Sequence, residues 1–140
     1  MTLSAAIGVL ALAIAQPSPQ SFGGTWEAAR DGKVYARLEL REANGTLSGR
    51  ISLGAMHVDK DGVVDAVQEP ATNFTPIFDV VMRDGVVAFA RKDGFDTDRF
   101  ELRIAGAGLE LAFFPTAEDR EAFAREGVPP PKPVRLVKTP

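Results

Sequence analysis

Two acidic clusters are the places in this 140-residue chain where residue type and spacing could do chemistry. In "HVDKDGVVD" (57–65), Asp59, Asp61 and Asp65 surround Gly62. Oxygen ligands alternating around a sharp glycine turn are the pattern of an acidic calcium loop, but that loop closes on a bidentate Glu at its twelfth position. Counted from Asp59, that position is Pro70, and Glu69 falls one residue short. The plainer reading is a hairpin turn with surface carboxylates. "KDGFDTDR" (92–99) gathers Asp93, Asp96 and Asp98. These could hold a cation, or act as an acid/base pair if burial separated their pKa values. The plainer reading is a solvated turn in which Asp98 caps backbone amides.

His57 is the single histidine, and the chain has no cysteine. One histidine does not build a zinc site without carboxylate help. The lack of thiols removes disulfides, thiolate metal sites and a cysteine nucleophile. There is no Gly-x-Ser-x-Gly element to present an activated serine. The glycines fall in turns rather than in a phosphate-cradling loop. The sequence therefore assigns no catalytic residue, no cofactor and no metal site, and it reads as a protein that is not an enzyme. It leaves open whether the turns 59–65 and 93–98 take a cation.

The elements that would carry these turns follow from composition and pattern. Apolar residues make up 45% and charged residues 25%, which suits one soluble globular domain. The net charge is −3, with acids and bases interspersed, so there is no basic patch to suggest nucleic acid. Residues 3–15, "LSAAIGVLALAIA", carry no charge. They are too few for a membrane-spanning helix, which needs about 20 apolar residues. They end in Ala13-Ile14-Ala15, the small-x-small form of a secretory cleavage site. Residues 1–15 are thus expected to be a signal peptide, giving a secreted or periplasmic product with no stable membrane span after cleavage. "QPSPQSFGG" is rich in Pro, Ser and Gly, so 16–23 is expected to be a flexible lead-in to a single domain over 24–138.

Turn dipeptides recur through that domain: Asp31-Gly32, Asn44-Gly45, Asp61-Gly62, Asp84-Gly85, Asp93-Gly94 and Ala107-Gly108. Asn-Gly and Asp-Gly supply the positive φ that tight hairpins demand. The runs between them alternate with a period of two, as in "VYARLELR", "TLSGRISL" and "RFELRI". That period gives strands with one dry and one wet face. Strands are predicted over 24–29, 34–41, 46–53, 63–68, 77–82, 86–91, 99–104 and 109–114. A one-faced sheet must cover its apolar side, and closing on itself does so while removing both edges. The predicted fold is all-β: an eight-stranded antiparallel up-and-down barrel with one short C-terminal helix. A two-sheet sandwich shares the alternation. The helix is expected in "PTAEDREAFAREG", with Thr116 as N-cap, Asp119 completing a capping box and Gly127 as the stop. Ala122, Phe123 and Val128 would dock it on the barrel. Residues 133–138 read as a final strand or strap.

In such a barrel Leu38, Leu40, Ile51, Leu53, Phe78, Val80, Phe89, Phe100, Leu102 and Leu111 are predicted to face inward. That lining suits an apolar or amphipathic small molecule. A packed core without room is the competing reading. Trp26, the single tryptophan, stands on the first strand and is expected to plug one end.

At these residues the chain resembles the lipocalin group of the calycin barrels. Gly24-Thr25-Trp26 matches the group's Gly-x-Trp on the first strand, and Thr97-Asp98 resembles the start of its Thr-Asp-Tyr motif. A helix after the eighth strand and one more strand also fit the group's plan. The group's arginine at the end of the eighth strand is missing, since that place reads Phe113-Phe114-Pro115. Arg135 is expected to cover Trp26 in its stead through a cation–π contact. The resemblance implies a barrel that binds a small hydrophobic or amphipathic ligand inside, without catalysis. The alternative is a packed-core barrel acting as a protein-interaction or inhibitor module through rim loops around 55–62, 69–76 and 92–98. The sequence names no protein partner.

Overall fold

The computed structural model describes residues 17–140, so the expected signal peptide lies outside the described residues. A short 3-10 turn at Pro19–Phe22 precedes ten strands and one helix. The strands are β1 (Gly24–Arg30), β2 (Lys33–Ala43), β3 (Thr46–Leu53), β4 (Ala55–Val58), β5 (Val64–Glu69), β6 (Thr75–Arg83), β7 (Val86–Asp93), β8 (Asp96–Ala105), β9 (Gly108–Phe113) and β10 (Val134–Lys138). The helix, α1 (Ala117–Glu126), lies between β9 and β10.

Eight strands close an antiparallel barrel in the order β1-β2-β3-β6-β7-β8-β9-β10, with β10 returning to β1. This is the predicted fold with a different membership. The segment 63–68, predicted as the fourth stave, is β5, and it pairs only with β4 in a separate two-stranded ladder. Its place is taken by β10, the segment read as a strand or strap. The reason is in the side chains. Val64-Asp65-Ala66-Val67-Gln68-Glu69 has no parity that is wholly apolar, and its buried residues, Val64 and Val67, fall three apart. Val134 and Leu136 alternate cleanly and are both buried, as a stave with one dry face requires.

Hairpin chemistry sets the staves. Asp31-Gly32, Asn44-Gly45 and Asp84-Gly85 all have positive φ at both residues, the pattern of a type I′ turn. The β7–β8 and β8–β9 turns are centred one residue away from the predicted dipeptides, on Gly94-Phe95 and Gly106-Ala107. Only the first residue of each has positive φ, the II′ pattern. Connections alternate between the two ends. One end carries the β2–β3, β6–β7 and β8–β9 turns. The other, here called the mouth, carries the β1–β2 and β7–β8 turns, α1 and the β4–β5 hairpin.

The lead-in was expected to be flexible, but from Pro19 it folds into the 3-10 turn, and Phe22 is fully buried. The helix forms as predicted. Thr116 and Asp119 make the reciprocal capping box, and Gly127 ends the helix in the left-handed region. Phe123 packs at 5.4 Å on Phe114, whereas Val128 is half exposed rather than docked.

Candidate functional site

The β7–β8 hairpin stands on the core like a post. At its base the rings of Phe89 and Phe100 stack at 5.2 Å, and Phe100 meets Phe113 edge-on at 5.9 Å. One rung higher, Arg91 faces Asp98. Both share the inward parity of Phe89 and Phe100, so the pair sits just inside the mouth. Arg91 Nη2 lies 3.2 Å from Asp98 Oδ2, with the side chains only 16% and 18% exposed. The guanidinium is also 5.8 Å from the Phe100 ring centroid. On the next rung Lys92 Nζ donates to Thr97 Oγ1 at 2.9 Å, on the outer face. Asp93 then pairs with Asp96, and the turn leaves Phe95 fully exposed at the tip.

This arrangement resolves the second acidic cluster. Asp98 is an ion-pair partner, not an amide cap, and only Asp93 and Asp96 remain as free carboxylates at the tip. The chemistry on offer is recognition: an exposed aromatic side chain between two negative charges.

The first acidic cluster lies on the β4–β5 hairpin. Asp59 Oδ1 accepts from the amides of Asp61, at 2.8 Å, and Val63, at 3.0 Å. The Val63 amide above all holds the Asp59 carboxyl below its ordinary range; desolvation opposes it, and the Asp61 amide, Lys132 and His57 add to the lowering. Asp65 is taken by His57, whose Nδ1 lies 2.5 Å from Asp65 Oδ1. The carboxylates thus cap a turn and clasp the hairpin. Among the described residues no three His, Asp or Glu side chains converge as a metal site.

The hairpin is tied down beside the mouth. Arg30 Nε donates to the Asp65 carbonyl at 2.8 Å, and Lys132 N donates to the Gly62 carbonyl at 2.7 Å. Val64 and Val67 are buried in the same core as the staves, with Met56 and Val58 packed against it. Tyr35 is buried beside Val64 and Val134 in a cleft that Arg30 and Lys132 also line. Burial pushes its phenol pKa up, against the opposing effect of Arg30.

Inside the barrel, Leu38, Leu40, Ile51, Phe89, Phe100, Leu102 and Leu111 are buried as predicted, while Leu53 and Val80 are half-buried against the core. Phe78 is a correction. Asp79 has positive φ within a bulge between Phe78 and Val81, which shifts the alternation by one residue. Ile77, Val80 and Met82 therefore pack on the core. Phe78 turns outward, with Lys92 Nζ 5.8 Å from its ring.

Trp26 is buried at the end opposite the mouth. Arg135 does not cover it: it lies on the outer wall opposite Glu110, with its guanidinium over the Gly106–Gly108 turn. Lys138 does. It pairs directly with Trp26, and its Nζ lies 5.6 Å from the ring. Positions 134, 136 and 138 share the inward parity that 135 lacks.

Sequence reasoning missed Phe95 and Arg91 as site residues. The available signal was a large apolar residue next to the Asp93-Gly94 dipeptide; the register leaves it fully exposed at the turn. No family model, curated protein or solved structure matches this chain.

Proposed function

We propose that this protein is a packed-core barrel that works as a protein-interaction module, with the mouth as its binding face and Phe95 as the anchor. The observation that carries this reading is the contrast between interior and tip. Leu38, Ile51, Phe89, Phe100, Leu102 and Leu111 expose 2% or less of their surface. A cavity large enough for a ligand leaves its lining open to a water-sized sphere. Phe95 meanwhile stands fully exposed on a hairpin braced by the Arg91–Asp98 pair. Rigid aromatic anchors on scaffolded loops are the groups that dominate protein interfaces. The tip carboxylates favour a partner with an apolar socket and a basic rim. With a leader expected at residues 1–15, that partner is an envelope or extracellular protein.

The test is a photo-crosslinking residue placed at position 95 in the producing cells. A discrete protein adduct, lost when Asp93 and Asp96 are changed to Lys, supports the reading. Saturable quenching of Trp26 by fatty acids or retinoid-like probes, with no adduct from position 95, would turn the assignment to an interior carrier.

A further inference from the structure

Two seams of the barrel are short, β1–β10 and β3–β6, each with two facing pairs; the first is extended by the Thr139 amide donating to the Thr25 carbonyl at 2.8 Å. β3 meets β6 only where Arg50 faces Pro76 and Ile51 faces Thr75. The β2–β3 ladder, by contrast, runs from Ala36 opposite Leu53 to Ala43 opposite Thr46. Among the described residues, the stretch Thr46–Gly49 therefore has a partner strand on one side only. The facing edge of β6 is blunted by Pro76, which has no N–H, and by the bulge at Asp79. Proline and bulges are how proteins protect an edge from pairing. Thr46–Gly49 has neither device.

Two clefts flank this edge. On the outer side, Glu39, Arg41, Ser48, Arg50 and Pro76 line a cleft of about 350 Å³. On the inner side, Leu47, Val80, Met82 and Pro19 line one of about 150 Å³. Arg50 is engaged by Glu39 at 2.6 Å, and Glu39 is held below its ordinary pKa by that hydrogen bond. Arg41 has no ion-pair partner among the described residues.

We infer that the β3 edge is a strand-addition site for an extended peptide that alternates apolar and acidic side chains. Its backbone pairs with Thr46–Gly49. Its apolar side chains enter the inner cleft against Leu47 and Met82, and its carboxylate meets Arg41 in the outer one. Main-chain bonding supplies affinity in this mode, and alternate pockets supply specificity. The unprotected edge, the cleft on each side of it and the unpaired cation make this case together. It is independent of the mouth and of Phe95.

The experiment uses the full chain and synthetic peptides of about eight residues, a usual strand length, with Val at one parity and Glu at the other. Controls carry Lys in place of Glu, or N-methyl groups along the bonding edge. The Val/Glu peptide is expected to bind by fluorescence polarisation, and to slow amide exchange at Thr46–Gly49 but not at 92–98. Both controls are expected to fail. Arg41→Ala weakens binding roughly five- to tenfold, as the loss of one charge-assisted contact at a partly exposed site should, and leaves near-ultraviolet circular dichroism unchanged. Equal binding of the Val/Glu and Val/Lys peptides, or Val/Glu binding that survives N-methylation or Arg41→Ala, overturns the inference. So does no Val/Glu binding at all. Concentration-dependent dimerisation that protects the same amides while the peptide does not bind assigns the edge to a second copy of the chain and also overturns it.

Discussion

The indole Nε1 of Trp26 donates a 2.9 Å hydrogen bond to the carbonyl of Phe22, four residues upstream and outside the barrel strands. Both side chains are buried. The bond satisfies the one polar atom of an otherwise apolar ring and fixes the chain where it enters β1. The residues before the first strand are therefore part of the core, not a tether to it.

Phe22→Ala should consequently destabilise the fold as a core truncation does, by about 3–5 kcal/mol. Ser21→Ala, on the exposed side of the same turn, should change stability by less than about 0.5 kcal/mol. Urea unfolding followed by Trp26 fluorescence checks both. Near-equal midpoints would mean that the turn does not hold the end closed.

The Arg91–Asp98 pair lies between the exposed and the buried regimes, with less than a fifth of either side chain exposed. Asp98→Ala should cost about 1–3 kcal/mol, more than a surface pair and less than a fully buried one. The double replacement Arg91→Met with Asp98→Leu should recover much of that loss, because no charge is then left unpaired. A double-mutant cycle by chemical denaturation gives the coupling. Additive single effects would show the two side chains to be independent.

Asp59 gives a pH dependence with a definite sign. Its folded-state pKa is lowered, first by the Val63 amide and then by that of Asp61. A depressed carboxyl pKa contributes stability that is fully present above the unfolded value, about 3.9, and is lost as pH falls through the folded value. Wild type should therefore exceed Asp59→Ala in stability near neutrality. The gap should narrow on acidification below about pH 4, the ordinary aspartate range. Thermal melts of both proteins from neutral to strongly acidic pH test this, and a constant gap would contradict it.

The same stretch of β6 shows where legibility in the sequence ends. Alternation and turn dipeptides delivered the staves because each is decided locally: Asn44-Gly45 needs no distant partner to favour a hairpin, and Leu38 with Leu40 marks a dry face unaided. The inward place of Phe78 was wrong because one residue, Asp79, adopts positive φ and shifts the parity after it. Nothing in "PIFDVVMR" distinguishes that bulge from a regular strand. The choice of β10 over β5 as the eighth stave is long-range too. It depends on which segment meets both β1 and β9, and the mixed parity of 64–69 is the only local hint. The mouth was legible as an acidic turn, but its anchor was not, because the turn was predicted on Asp93-Gly94 and the strand register centres it on Gly94-Phe95. Ile77→Ala, at a site half-buried against the core, should thus cost about 1–2 kcal/mol, less than a full core truncation. Phe78→Ala, on the outer face, should cost distinctly less, and the reverse order in denaturant titrations would restore the unbulged register.

The cover over Trp26 separates the resemblance from the register. An arginine over the indole was expected at Arg135, but strand parity assigns that place to Lys138, directly opposite Trp26 on β1. The ammonium lies 5.6 Å from the ring, within cation–π range. Its stem runs along Gly24, where a Cβ would approach Lys138 Cε at 2.7 Å. Any side chain at position 24 therefore displaces the lysine, and the backbone there already has φ of +131°, in the region that favours glycine. Lys138→Gln should shift the Trp26 emission and lower stability by about 0.5–1 kcal/mol, the worth of an exposed cation–π contact. Arg135→Gln should leave the emission unchanged. Gly24→Ala should reproduce the spectral effect of Lys138→Gln and add a larger loss of stability, since it combines the displaced stem with backbone strain. An emission that follows Arg135 instead of Lys138 would contradict the register that sets Lys138 opposite Trp26.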